Sequence, residues 1–155
     1  MKFSDQIEKF NLMYKLPYSA VPTLEVGVPL VKRLTDFKSI LSKELSEIDD
    51  LIDLAEKKEM GILTELDARV LWIGLQDLLG DIQIYCASEM GKFGIPLDDT
   101  LSTIMDSNFS KLDADGNPIY DEEGKVQKGP SYYKPEPKLL ADLGKKLDNL
   151  DKKLN

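Results

Sequence analysis

The sequence predicts an all-α domain, a bundle of four to five helices with one small β-hairpin excursion near residues 113–134. Three observations point there. Apolar residues recur at spacings of three and four through most of the chain. Glycine and proline cluster between these periodic stretches and mark their ends. Only the stretch from Asp113 to Lys134 loses the period, with turn signals flanking short strand-like pieces. At 155 residues, 42% hydrophobic and 31% charged, the chain is long enough for one domain with a sizeable core.

The first element is a short amphipathic helix from Phe3 to Tyr14, with Phe3, Ile7, Phe10, Leu12 and Met13 as its apolar set. Pro17, Pro22, Gly27 and Pro29 break helix after it. A long second helix starts near Pro29 or Leu30, where proline suits a first turn, and runs to about Lys57. Its apolar stripe is Leu34, Phe37, Leu41, Leu45, Ile48, Leu51, Ile52 and Ala55. A turn at Glu56–Gly61 leads to a third helix from about Leu63 or Thr64 to Phe93. Thr64 and Asp67 resemble a capping box at its start, and Gly94 and Pro96 end it. Between Leu71 and Ser88 it is apolar almost all round, the pattern of a helix central to a bundle. The fourth helix spans roughly Leu97 to Leu112, with Leu97, Leu101, Ile104, Met105 and Leu112 as its stripe and Asn108 within it.

Past the irregular stretch, Pro137 to Asn155 carries Leu140, Leu143, Leu147, Leu150 and Leu154 as a heptad seam of little over two heptads. The expected organisation is a domain over residues 1–135 and an amphipathic helix over 136–155 that packs on that domain or on a sister subunit. Asp113, Asp115 and Asn117 imitate the start of a calcium loop. Pro118 stands where that loop needs glycine and Gly124 where it needs glutamate, which excludes the calcium reading.

Charge and composition narrow the function. Twenty basic against 28 acidic residues give a net charge of -8, which disfavours nucleic acid and anionic membrane as partners. The chain has no histidine, so a Ser-His or Cys-His nucleophile, a histidine proton shuttle and a His-ligated zinc are excluded. One cysteine, Cys86, forbids an internal disulfide. No secretory or spanning segment is evident, so a cytoplasmic setting is expected.

Against this background four carboxylates stand out. Glu44 projects inside the stripe of the second helix, with Glu47 at its edge. Asp77 and Asp81, four residues apart, share one face of the third helix. A carboxylate aimed at a core is costly unless a cation or metal pairs with it. Singly, each has an ordinary reading: a solvated face for the glutamates, an ion pair with Arg33, Arg69 or a lysine for the aspartates, a helix-end contact for Asn108, a surface lysine for Lys111. Jointly, on successive helices and without histidine, they select a hard divalent cation, Mg²⁺ or Mn²⁺, with Asn108 and Lys111 suited to substrate oxygens.

With these residues in view, the chain resembles the all-α nucleotide pyrophosphohydrolase superfamily of MazG, the phosphoribosyl-ATP pyrophosphohydrolases and the dimeric dUTPases. Glu44-Leu45-Ser46-Glu47 matches its Glu-x-x-Glu helix, and Asp77 to Asp81 stands at its second acidic motif. The Gly94-Ile95-Pro96-Leu97 turn and the tail from Ser107 to Pro135 resemble a phosphoribosyl-ATP pyrophosphohydrolase-like branch, so the likeness covers roughly Phe3 to Pro135. Two departures occur: Lys43 stands at an acidic position of the first motif and Leu78 at one of the second. The resemblance implies a MazG-like bundle, a homodimer or dimer of dimers, and Mg²⁺-dependent hydrolysis of a nucleoside triphosphate between its α and β phosphates. It also implies metal ligands at Glu44, Glu47, Asp77 and Asp81, a base at Glu44 or Glu47, and substrate contacts from Asn108, Lys111, Tyr132 and Lys134. Tyr132 and Tyr133 serve equally well as a packed anchor for the tail. The competing expectations are a non-catalytic helical assembly module and a phosphoribosyl-ATP pyrophosphohydrolase.

Overall fold

The computed structural model describes residues 1–154 and the side chains of residues 1–152. Leu154 of the expected seam and Asn155 therefore lie outside the described side chains. Five helices account for the regular structure: α1 (Phe3–Met13), α2 (Leu30–Glu59), α3 (Glu65–Lys92), α4 (Leu97–Phe109) and α5 (Glu136–Leu154). The chain is all-α, as its periodicity requires, and it divides into two compact units. One comprises Met1–Ser19 with Thr23–Phe93; the other comprises Ala20–Pro22 with Gly94–Asn155.

The first unit is a three-helix arrangement. The short turn between α2 and α3 makes them antiparallel, and ion pairs mark both ends: Lys57 to Asp67 at 3.9 Å beside the turn, and Arg33 to Glu89 at 3.0 Å at the other end. The capping box is formed. Thr64 Oγ1 accepts from the Asp67 N–H at 3.0 Å, and the Asp67 carboxylate accepts from the Thr64 N–H at 3.3 Å. That hydroxyl and N–H hold the Asp67 carboxyl below its usual range. Helix α1 docks on α3 through the fully buried Asn11. Its side chain donates to the Ser88 carbonyl at 3.0 Å and accepts from the Ser88 hydroxyl at 2.6 Å.

The α2 stripe faces α3 in a narrower band than the apolar count suggests. Phe37, Leu41, Glu44, Ile48, Leu51 and Ala55 are half-buried, while Leu34, Leu45 and Ile52 are about half exposed. Helix α3 departs from the expectation of a helix enclosed on all sides. Trp72 is 67% exposed and Ile73 65%, since α1 and α2 leave these positions of α3 uncovered.

In the second unit, α5 packs on α4, and Lys138 reaches the Thr103 hydroxyl at 2.8 Å. Two corrections arise here. The buried line of α4 is Leu97, Thr103 and Ser107, whereas Leu101, Ile104 and Met105 are exposed and Asn108 with them. The short polar residues go inward because their hydroxyls find partners, as shown below for Ser107. The expected β-hairpin is also absent as strand structure: between α4 and α5 the described residues hold only two isolated bridges, Leu112 with Pro118 and Tyr120 with Val126. Each is closed by an aspartate loop, not by a ladder. Asp113 Oδ1 accepts from the Asp115 and Asn117 N–H groups, and Asp121 Oδ1 from those of Glu123 and Lys125. Side-chain acceptors thus take the backbone donors that a second strand pair would need.

Candidate metal and nucleotide sites

The acidic residues belong to the first unit and face one another across α2 and α3. Glu44 occupies the half-buried stripe of α2, and Glu47 lies exposed one turn on. From α3, Asp81 is half-buried and Asp77 exposed. Burial raises the Glu44 carboxyl above its ordinary value, and the negative charges of Glu47, Asp81 and Asp77 raise it further, in that order. The three neighbours are thus close enough to repel its charge, and Asp81 matters more than Asp77.

None of the four has a cation partner among the described residues. The basic residues considered for that role are engaged elsewhere: Arg33 pairs with Glu89, and Arg69 pairs with Glu65 at 2.6 Å. An ion-paired reading of Asp77 and Asp81 is thereby excluded. The donor set fits a hard divalent cation in its chemistry, being all carboxylate oxygen and short of positive charge. It is not closed: among the described residues, no three acidic or other ligand side chains approach one point closely enough to hold an ion.

Tyr85 is the member of this cluster that the sequence reading missed. It is half-buried on α3, four residues beyond Asp81. Burial raises its phenol, and Glu44, Asp81 and Glu47 add to the effect. Continuing the i, i+4 series from Asp77 and Asp81 by one step reaches it.

The remaining candidates belong to the second unit. Asn108 is exposed on the last turn of α4, and Lys111 is half-buried just after it, its N–H donating to the Asn108 carbonyl at 3.2 Å. Tyr132 is half-buried, with the Lys128 ammonium 4.8 Å from its ring centroid, and Lys134 is exposed. The cation over the ring joins two groups that suit a nucleotide, an aromatic face and a positive charge.

No family model matches the chain, and no curated protein matches it. Among solved structures it is similar to a protein provisionally named an NTP pyrophosphohydrolase, from Exiguobacterium sp. 255-15. That likeness has 22% identity and a TM-score of 0.49, and covers 96% of this chain and 98% of the other. Values that low transfer neither activity nor site residues.

Proposed function

We propose that the chain is a Mg²⁺-dependent nucleotide pyrophosphohydrolase that cleaves a nucleoside triphosphate between its α and β phosphates, releasing a monophosphate and pyrophosphate. The observation that carries this reading is the group of four carboxylates on α2 and α3 without a compensating cation among the described residues, in a fold that pairs the buried Glu89 with Arg33 and Lys92. The sequence resemblance supplies the reaction.

Glu44, Glu47, Asp81 and Asp77 would hold the ion, with Mn²⁺ able to replace Mg²⁺. The ion would neutralise phosphate charge and acidify a water. Glu44, whose proton affinity is raised toward the working pH, suits the general base that takes the proton from the attacking water, with Glu47 as the other candidate. Within the second unit, Lys111 would offer positive charge to a phosphate, Asn108 an amide to a phosphate or sugar oxygen, and Tyr132 with Lys134 contacts to a nucleotide. A second copy completes the fold, as a homodimer or a dimer of dimers. Supporting this, α3 exposes Leu66, Val70 and Ile73 along one face by half or more, an apolar stripe that a lone chain leaves wet.

The test is pyrophosphate release from a panel of canonical and modified nucleoside triphosphates and phosphoribosyl-ATP, with and without Mg²⁺. Turnover that depends on Mg²⁺ and falls about 10²- to 10⁴-fold in Glu47→Ala is expected. A chain that turns over nothing in the panel would leave the assembly-module reading, which the exposure of Leu140, Leu143 and Leu147 on α5 favours.

A further inference from the structure

We infer that Ser107 and Ser110 are positioning residues that clamp the segment 128–134 to the end of α4 and so order a nucleotide-binding strap. The inference rests on the nucleotide reading above and adds to it residues that touch no ligand.

The strap has no strand to pair with, so its backbone polar groups need other partners. Two serine hydroxyls supply them at Tyr133. The Ser107 hydroxyl, on a residue 3% exposed, donates to the Tyr133 carbonyl at 2.8 Å. The Ser110 hydroxyl accepts from the Tyr133 N–H at 3.1 Å and donates to the Ser107 carbonyl at 2.7 Å. Both backbone groups of one residue are therefore held by side chains one turn apart, on either side of Asn108. A second anchor lies at Gly129, where a Cβ would collide with the Leu112 carbonyl oxygen, so only glycine allows this approach. The Tyr132 N–H donates to the Gly129 carbonyl at 3.1 Å and closes a tight turn between the anchors.

The consequence is chemical. The anchors fix the residues that flank them, Lys128 and Tyr132 on one side and Lys134 on the other. They do so against the helix end that carries Asn108 and Lys111. An amide, an aromatic ring and three ammonium groups are thus ordered within one unit of a chain whose net charge is -8. The three lysines would supply a polyphosphate with positive charge on an acidic protein, against the Asp113 backbone that lies beside Gly129. Ordering them before the ligand arrives reduces the entropy lost on binding.

The experiment uses the full chain and compares native protein with Ser110→Ala and Ser110→Thr. Hydrogen exchange at the Tyr133 amide reads the clamp, and KM and kcat for the best triphosphate of the panel read its use. Ser110→Ala should speed exchange at Tyr133 and raise KM about three- to tenfold, the worth of one neutral hydrogen bond, with kcat unchanged. Ser110→Thr, which keeps the hydroxyl, should restore both. Gly129→Ala should act in the same direction from the other anchor. Faster exchange with KM unmoved would overturn the positioning role, and unchanged exchange would overturn the clamp itself. A native chain that neither binds nor cleaves any triphosphate, while Ser110→Ala still frees Tyr133, would instead remove the nucleotide reading and leave a purely structural clamp.

Discussion

The same two helices treat inward carboxylates in opposite ways at two places. Where the start of α2 meets the end of α3, Glu89 is buried and held by two cations. Lys92 donates to one carboxylate oxygen at 2.8 Å, and Arg33 Nε lies 3.0 Å from the other. Eleven residues along α2, about 16 Å at the helical rise, Glu44 sits among three further carboxylates and no cation. The first arrangement shows that this fold neutralises an inward carboxylate where stability requires it. At the second, repulsion is left uncompensated, as the proposed metal site would require.

Removing Glu89 should have the largest effect on stability. Glu89→Ala leaves Arg33 and Lys92 buried without their anion, and breaking such a set typically costs about 3–5 kcal/mol. A fall of roughly 10 °C in the thermal midpoint is expected. Glu47→Ala, at an exposed position, should stay within about 0.5 kcal/mol of native. Equal losses in denaturant titrations of the two variants would erase the distinction between the two places.

Magnesium should act next, and only on the open cluster. An ion that binds the native state alone stabilises it by about 2.7 kcal/mol at a hundred times its dissociation constant. The midpoint of native protein should rise with added Mg²⁺, and that of a Glu44→Gln/Glu47→Gln variant should not. In Glu89→Ala the increment should persist, since its carboxylate is not among the proposed ligands. An increment that survives loss of both glutamates would place the ion elsewhere.

The sequence made the helices and this contrast legible to different degrees. The three-and-four spacing located all five helices to within a few residues, and Thr64 with Asp67 announced the start of α3 through a bond the structure contains. Glu44 was legible because one charge at a stripe position violates a strong period. Glu89 was not, since a charge near a helix end looks solvated until Arg33, distant in sequence, is brought beside it. Helix α4 misled for a related reason. Its leucines and methionine suggested the buried face, yet Thr103 and Ser107 go inward because Lys138 and Tyr133 supply partners that periodicity cannot show. The irregular stretch suggested strands through its turn signals, but forms only isolated bridges because Asp113 and Asp121 accept its backbone donors at short range, which the sequence pattern does not encode.

The smallest shift should come from Glu44 alone, and its pH dependence identifies the cause. Burial and the neighbouring carboxylates raise the native carboxyl above its ordinary value of 4.5, so the folded state binds this proton more tightly than the unfolded chain does. Stability contributed by the group must therefore fall as pH rises from about that value, and level off once the raised native value is passed. Replacing the carboxylate with the neutral Glu44→Gln removes the penalty. In metal-free buffer the variant should melt above native at neutral pH, by less than the magnesium increment, and the two should converge as pH falls below 4.5 and Glu44 becomes protonated in both states. A gap that stays constant across this range would trace to packing of the amide and not to charge, and the open cluster would then carry no more electrostatic strain than the paired Glu89.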